Sequence, residues 1–172
     1  ERRKLEAEVM VRDFCRSKNL RFRIFRPSTI AGRLIESPIG AVTKFDVFYS
    51  WAMWFLRLKI KRGIPSEKLY GTPLEISLRI ACREDTGLNI VPADYAAKIM
   101  YQVCAKNYFG ESFYLVNKKE TPHRVYVSTM LKFLNINGTS FLNAIPPDPS
   151  TLEGLYYKTV GAIFSPYVLC DA

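Results

Sequence analysis

The sequence predicts an α/β fold with parallel strand pairing, because segments with helical periodicity alternate along the chain with short runs of strand-forming residues. Hydrophobic residues make up 48% of the 172 positions, which is enough for a unit with a core of its own. The expected strands are too few for a complete doubly wound sheet. The chain is therefore expected to supply only part of such a sheet.

The first two predicted elements are a helix and a strand. Apolar residues share one helical face through about Lys18: Ala7, Met10, Val11, Phe14 and Cys15. No N-cap residue precedes them, so the helix is expected to begin upstream of Glu1. Apolar and basic residues alternate over residues 20–26, a strand pattern that Pro27 stops. Residues 27–43 are rich in turn-forming residues and predict a long functional loop.

The later elements continue the alternation. Helices are predicted over residues 46–61, 92–106, 125–134 and 152–164, strands over 74–80, 88–91 and 112–116, and turns over 84–87 and 135–138. The helix over 46–61 has an aromatic face that includes Trp51 and a basic C-terminal end. Burial of this face against a core is the preferred interpretation, and a membrane-surface anchor is the alternative.

The composition narrows the classes of partner and site. The net charge of +9 favours anionic partners, but no aromatic-interleaved basic motif supports a nucleic-acid partner. No apolar run approaches the roughly 18 residues of a membrane-spanning helix, and no signal-peptide pattern is present, so a cytoplasmic location is expected. The four cysteines are far apart and His123 is the one histidine, which predicts reduced thiols and no metal site.

Four patches, in order along the chain, resemble the second half of the extended short-chain dehydrogenase/reductases. Residues 1–8 resemble the helix after the family's Tyr-x-x-x-Lys pair, with Lys4 as the lysine. Residues 26–32, Arg-Pro-Ser-Thr-Ile-Ala-Gly, are similar to the Arg-Pro-x-x-x-x-Gly element beside the nicotinamide ring. Residues 89–97 and 113–117 are similar to the Val-Pro-Val-Asp-Tyr-Val-Ala element and to the last strand with its Asn.

Within this epimerase/dehydratase superfamily, residues 44–49 and 165–167 are most similar to the male-sterility group, which includes fatty-acyl and thioester reductases. The resemblance implies a Rossmann-like parallel sheet plus a mostly helical substrate-binding subdomain. Residues 1–45 would form the end of the sheet and an active-site loop. Residues 46–172 would form the substrate subdomain, with a returning strand at 112–116.

The resemblance also implies an NAD or NADP cofactor and a set of site residues. Lys4 would be catalytic, because its ammonium makes the family's tyrosine more acidic and also bonds the cofactor ribose. Pro27, Ser28 and Thr29 would lie against the cofactor, although turn-capping hydroxyls are an equal interpretation of the last two. Four basic residues would hold substrate phosphates if they are not ordinary surface charges: Arg33, Lys44, Arg79 and Arg83.

We therefore hypothesise that the chain is a fragment of an NAD(P)-dependent oxidoreductase that reduces a carrier-bound acyl thioester or related carbonyl. The alternatives are a nucleotide-sugar epimerase or dehydratase, and a non-catalytic binding or membrane-surface module. Expected partners are the N-terminal half of the same protein and a second copy bound through the first helix. The chain alone is expected to be inactive, because the glycine-rich cofactor loop and the tyrosine would lie upstream.

Overall fold

The computed structural model describes residues 2–42, 48–106 and 112–170. The helices are α1 (Arg2–Ser17), α2 (Phe48–Lys61), α3 (Ala93–Ala105), α4 (His123–Phe133), α5 (Thr151–Lys158) and α6 (Val160–Val168), with a short 3-10 turn at Ser66–Lys68. The strands are β1 (Ile24–Pro27), β2 (Thr29–Ala31), β3 (Leu74–Ala81), β4 (Gly87–Leu88), β5 (Ile90–Pro92), β6 (Ser112–Leu115), β7 (Thr121–Pro122) and β8 (Ile136–Leu142). Contacts divide the chain into two units: unit 1 is Glu1–Val42 with Asn89–Lys118, and unit 2 is Thr43–Leu88 with Lys119–Ala172.

Unit 1 contains two parallel strand pairs. Strand β1 pairs with β6, from Ile24 opposite Ser112 to Pro27 opposite Leu115, and β2 pairs with β5. A small core holds Val91 and Leu115 with partly buried neighbours. The predicted α/β fold with parallel pairing is confirmed. The strand expected from residue 20 begins only at Ile24, because residues 18–20 close the end of α1 with backbone hydrogen bonds.

Unit 2 is built on the parallel pair of β3 and β8, covered by helices. Strand β3 alternates buried and exposed residues over its first half and is buried at its end. In α2, Trp51 and Phe55 are fully buried, and Trp51 stacks on Phe164 with ring centroids 4.7 Å apart. The core interpretation of the aromatic helix face is confirmed. Trp51 and Phe55 have no exposed surface, so these two rings are not available to a membrane surface.

The turn predicted over residues 135–138 is wrong, because strand β8 begins at Ile136. The reversal after α4 lies at Leu134 and Asn135, and Asn135 has a φ of 53°. Gly138 has a φ of 76°, and a Cβ there would collide with the carbonyl oxygen of Ile76 on the partner strand. Of the residues that suggested a turn, Asn135 therefore ends helix α4, and Gly138 lies in β8 opposite the register shift between Glu75 and Leu78.

The last predicted helix is two helices, α5 and α6, separated at Thr159. His123 is buried at the start of α4 with its Nδ1 2.9 Å from the Tyr126 hydroxyl, and burial lowers the pKa of its imidazole. Among the described residues, no group of histidine, cysteine and acidic side chains could hold a metal ion. No helix in those same ranges is long and apolar enough to cross a membrane.

Candidate functional site

The carboxyl ends of strands β1 and β6 meet at one edge of unit 1, because the strands are parallel and Pro27 lies opposite Leu115. Ser28, the residue that leaves this edge, donates its backbone N–H to the Leu115 carbonyl at 3.0 Å. Such strand ends are where open α/β sheets bind their ligands. The structure therefore places Pro27, Ser28 and Thr29 at the carboxyl-terminal edge of the strand pair, where such sheets commonly bind ligands.

Asn89 joins the segments that leave this edge. Its Oδ1 accepts from the Ser28 hydroxyl at 3.0 Å and from the backbone N–H of Asn117 at 2.7 Å. Its Nδ2 donates to the Asn117 carbonyl at 2.9 Å, and its own carbonyl accepts from the backbone N–H of Thr29. Sequence reasoning missed this role, although Asn89 opens one of the patches that carry the resemblance. The Ser28 hydroxyl is thus held by Asn89 and supports loop geometry.

Lys4 lies on the exposed side of α1 and lines a groove of about 900 Å³ together with Pro27, Arg26 and Tyr114. The structure thus places the predicted catalytic lysine and the predicted cofactor-contacting proline on one groove of unit 1. Arg2 and Lys4 give one side of the groove positive charge. An ammonium and a proline backbone in a groove of this size fit a ribose and a nicotinamide ring.

Glu8, one helical turn after Lys4, ties α1 to the strands. Its carboxylate accepts from Arg26 Nε at 3.0 Å and from Arg12 Nη2 at 3.0 Å. The Arg26 guanidinium also contacts the Tyr114 hydroxyl and lies 5.0 Å from the centre of that ring. The hydrogen bond from Arg26 lowers the pKa of Glu8 despite partial burial. This network, which sequence reasoning missed, orients the helix that carries Lys4.

Asp94 holds the start of the loop that follows β2. Its carboxylate accepts backbone N–H bonds from Leu34 at 3.1 Å, Ile35 at 2.6 Å, Glu36 at 2.9 Å and Tyr95 at 2.9 Å. Burial raises the pKa of Asp94, but these four donors together outweigh it and lower the pKa to about 2. Asp94 therefore supports the loop structurally, as an acid near a helix start commonly does. We call this carboxylate and the backbone amides that it holds the Asp94 clamp.

Replacing Asp94 with asparagine is expected to loosen this loop and to lower the thermal stability at neutral pH. The amides of Leu34, Ile35 and Glu36 should exchange with deuterium roughly tenfold faster or more, because hydrogen bonds to a charged acceptor are lost. Glu36→Gln in the same loop is the matched control, since its exposed side chain is a neighbour of the clamp. Unchanged exchange in the Asp94 variant would contradict the clamp.

The same clamp gives a pH dependence whose sign follows from the lowered pKa. The stabilisation is fully present above the carboxyl pKa of the unfolded chain, near 4, and is lost as the pH falls through about 2. Thermal melts of the wild type and of Asp94→Asn should therefore differ most above pH 4, as a rough boundary, and converge in stronger acid.

The basic residues predicted to hold substrate phosphates fall into different parts of the chain. Arg33 is exposed on the unit 1 loop, where its backbone carbonyl accepts from Gly40 at 2.7 Å. Arg79 and Arg83 belong to unit 2, and Lys44 lies outside the described residues.

Both unit 2 arginines are engaged by carboxylates. The Arg79 guanidinium donates to Glu153 at 2.8 and 2.9 Å and to Asp148 at 3.0 Å. Arg83 pairs with Asp85, and this ion pair lowers the pKa of Asp85. A substrate phosphate at either arginine would have to displace these partners.

A second cavity of unit 1, of about 580 Å³, lies next to the Asp94 clamp. Most of its lining is aliphatic or aromatic, with Asn117 and Lys118 as the polar members: Leu34, Ile35, Ile90, Val91, Pro92, Tyr95, Val116, Asn117 and Lys118. Its volume lies within the range of small-molecule sites, roughly 300–1,000 Å³. Its lining comes from β5 itself, from Tyr95 in the first turn of α3 and from the segments that follow β2 and β6, so part of it lies at strand ends.

Parallel strand pairs with a polar strand-end edge and a lysine-bearing helix define part of a Rossmann-like α/β protein. The family described as male sterility protein, a family of NAD-binding domains, matches residues 1–100. The chain belongs to this family, which confirms the resemblance stated from its motifs and implies a nicotinamide cofactor.

Comparison with curated proteins finds no match. Among solved structures, the chain is similar to the UDP-N-acetylglucosamine 4-epimerase from Bacillus cereus, at 16% sequence identity and a TM-score of 0.47. The match covers 88% of this chain and 45% of the epimerase chain, so the chain spans less than half the length of that protein.

Proposed function

We propose that this chain is the substrate-side part of an NAD(P)-dependent reductase that acts on an acyl thioester carried by a phosphopantetheine-type group. The observation that carries the proposal is the aliphatic lining of the 580 Å³ cavity at the strand ends. Such a lining suits an acyl chain, whereas a nucleotide sugar would require polar partners for its hydroxyls and phosphates. An epimerase or dehydratase is the competing reaction within the same superfamily.

The proposed roles follow from position in unit 1. Lys4 would hold a ribose hydroxyl and, through its charge, lower the pKa of a tyrosine supplied by an N-terminal half of the protein. Pro27 would contact the nicotinamide ring, while Ser28 and Thr29 shape the strand end. When bound, the reduced cofactor supplies the hydride. Hydride and a proton added to the thioester carbonyl give an aldehyde and release the carrier thiol.

The remaining parts of the proposal concern the substrate headgroup and the setting. Arg33, exposed on the loop that lines the aliphatic cavity, and Lys44, further along the chain, would contact carrier phosphates. Arg79 and Arg83 could do so only after release of their carboxylate partners. We propose a cytoplasmic location, in keeping with the unpaired thiols of Cys15, Cys82, Cys104 and Cys170.

The test is substrate profiling of the full-length protein. Acyl thioesters of increasing chain length are incubated with NADH or NADPH, and cofactor oxidation is followed together with aldehyde and alcohol formation. Nucleotide sugars are assayed in parallel for epimerisation or dehydration. Formation of aldehyde or alcohol supports the reductase. Turnover of nucleotide sugars without any thioester reduction overturns it in favour of the epimerase class.

A cavity variant makes this test specific. Val116→Asp places a charge in the aliphatic cavity and should raise KM for long-chain thioesters by about tenfold or more, with a smaller effect on short chains. Val125→Asp is the matched control, because the two valines are 55% and 53% exposed and Val125 lies on α4 in unit 2. Equal KM changes at all chain lengths would argue against an acyl-chain site.

A further inference from the structure

Two aromatic rings of unit 2 are exposed side by side. Tyr70 is 56% exposed and Phe133 is 71% exposed, and their ring centroids lie 5.5 Å apart. Ile60, in the last turn of α2, is 50% exposed. Clustered apolar surface of this kind marks an interaction site more often than scattered exposed residues do.

The segment that carries Tyr70 is held by hydrogen bonds from Lys59 and Asn135. The fully buried Lys59 donates its Nζ to the Leu69 carbonyl at 2.5 Å and to the Thr72 carbonyl at 2.6 Å. Asn135, just after α4, donates its Nδ2 to the Gly71 carbonyl at 3.2 Å. These contacts join the end of α2, the segment before β3 and the end of α4. The rings are therefore presented by anchored backbone.

The elements that carry the rings also carry an excess of positive charge. The elements that meet here, residues 57–72 and 128–135, carry exposed basic side chains at five positions: Arg57, Lys61, Arg62, Lys68 and Lys132. Glu67 is the one acid in these two segments, which leaves five exposed cations against one anion. Among the described residues, none of the five cations pairs with a carboxylate. The surface thus keeps both its positive charge and its apolar rings open to solvent.

We propose that this surface, the Tyr70–Phe133 patch together with its five cations, binds an anionic lipid surface. Aromatic rings are favoured at the boundary between headgroups and hydrocarbon, and neighbouring lysines and arginines bind lipid phosphates. The two rings are inclined at 58° to each other, so they do not form the parallel platform on which successive bases stack. A lipid surface uses both the apolar area and the charge, whereas an acidic protein needs only the charge.

The experiment is co-sedimentation of the full 172-residue chain with vesicles of phosphatidylcholine alone or mixed with phosphatidylserine. Binding is expected only to the phosphatidylserine vesicles and should weaken as the salt concentration rises. Replacing Lys61 and Lys132 with glutamine should lower the affinity roughly fivefold for each charge removed. Replacing Tyr70 and Phe133 with serine should also weaken binding strongly, because the inserted apolar area is lost.

Matched controls separate the patch from general effects of charge and exposure. Tyr101→Ser and Tyr167→Ser remove rings that are 73% and 69% exposed elsewhere, and Lys98→Gln and Lys158→Gln remove other exposed charges. All control variants should bind as the wild type does. Circular dichroism melts identify any variant that fails to fold. If the ring variant fails to fold, it is replaced by the double variant Tyr70→Phe and Phe133→Tyr, which keeps two aromatic rings and should keep the affinity.

Several results would overturn the proposal. No binding to anionic vesicles, equal binding to neutral vesicles, or full binding by the ring variant would each do so. Displacement of the vesicles by a single-stranded oligonucleotide would assign the patch to nucleic acid instead. The assay contains neither cofactor nor thioester, so its failure is distinct from a failure of the proposed reductase function.

Discussion

Replacing Lys4 with methionine is expected to lower the turnover of the full-length protein by about 100- to 10,000-fold, the range typical for loss of acid–base assistance. Methionine keeps most of the side-chain bulk and removes the ammonium. The tyrosine proposed to protonate the substrate would then lose the charge that acidifies it. Steady-state rates across a pH series measure both effects, because the alkaline limb of the profile should move to higher pH as well as fall in height.

Lys18→Met provides the matched control for this prediction. Lys18 is an exposed lysine just beyond the C-terminal end of α1, away from the groove lined by Lys4. The control should keep both the rate and the pH profile of the wild type. A Lys4 variant that retains the wild-type profile would remove Lys4 from the catalytic group and leave it as a surface lysine of α1.

Replacing Glu153 with glutamine is expected to lower the free energy of unfolding by about 2–3 kcal/mol, in the range for losing hydrogen bonds to a charged group. The Glu153 side chain is 3% exposed and accepts from Arg79 through two guanidinium atoms and one backbone N–H. It also closes a capping box with Ser150 at the start of α5. Glutamine keeps the size and loses the charge, so the Arg79 guanidinium keeps only the exposed Asp148 as an anionic partner.

Asp148→Asn tests the same arginine from its exposed side. The Asp148 side chain is 79% exposed, and removal of its charge should cost no more than about 1 kcal/mol. Urea titrations of the two variants measure the difference. Equal destabilisation by both substitutions would show that burial does not decide the strength of this pair.

The Glu153 pair also has a defined pH dependence. The hydrogen bond from Arg79 holds the pKa of Glu153 far below its usual range. The stabilisation is therefore complete above the unfolded-state carboxyl pKa, near 4.3, and fades as the pH falls towards the much lower folded pKa. The stability gap between the wild type and Glu153→Gln should narrow only in strong acid.

Local patterns predicted most elements and failed where long-range contacts decide the outcome. Residues 135–138 have turn composition, yet Ile136 begins β8 because β3 offers it a parallel partner. The buried position of His123 likewise depends on the Thr86 carbonyl and on Tyr126, neither of which a local pattern around His123 reveals. Secondary-structure propensity is a property of one segment, whereas strand pairing and burial depend on contacts between two segments.

The residues of the candidate site also divide into those that the sequence predicted and those that only the structure identified. Lys4 and residues 26–32 could be named from motifs, because short spacings along the chain carry that information. Asn89 and Glu8 could not, since their partners lie 61 residues away at Ser28 and 18 residues away at Arg26. The ion pair of Arg79 could not be predicted for a related reason: its carboxylate partner Glu153 is 74 residues away along the chain.

The sequence by itself determined the α/β class, the parallel pairing, the position of the lysine-bearing helix and membership of the NAD-binding family, because periodicity and motif spacing are local properties. The tertiary structure alone decided which polar groups are engaged and which surfaces remain open. Parallel strands join distant segments, so Asp94 reaches the loop at Leu34, and Lys59 and Asn135 together present Tyr70 beside Phe133. These contacts follow from the chain topology, and no single stretch of the sequence contains both partners of any of them.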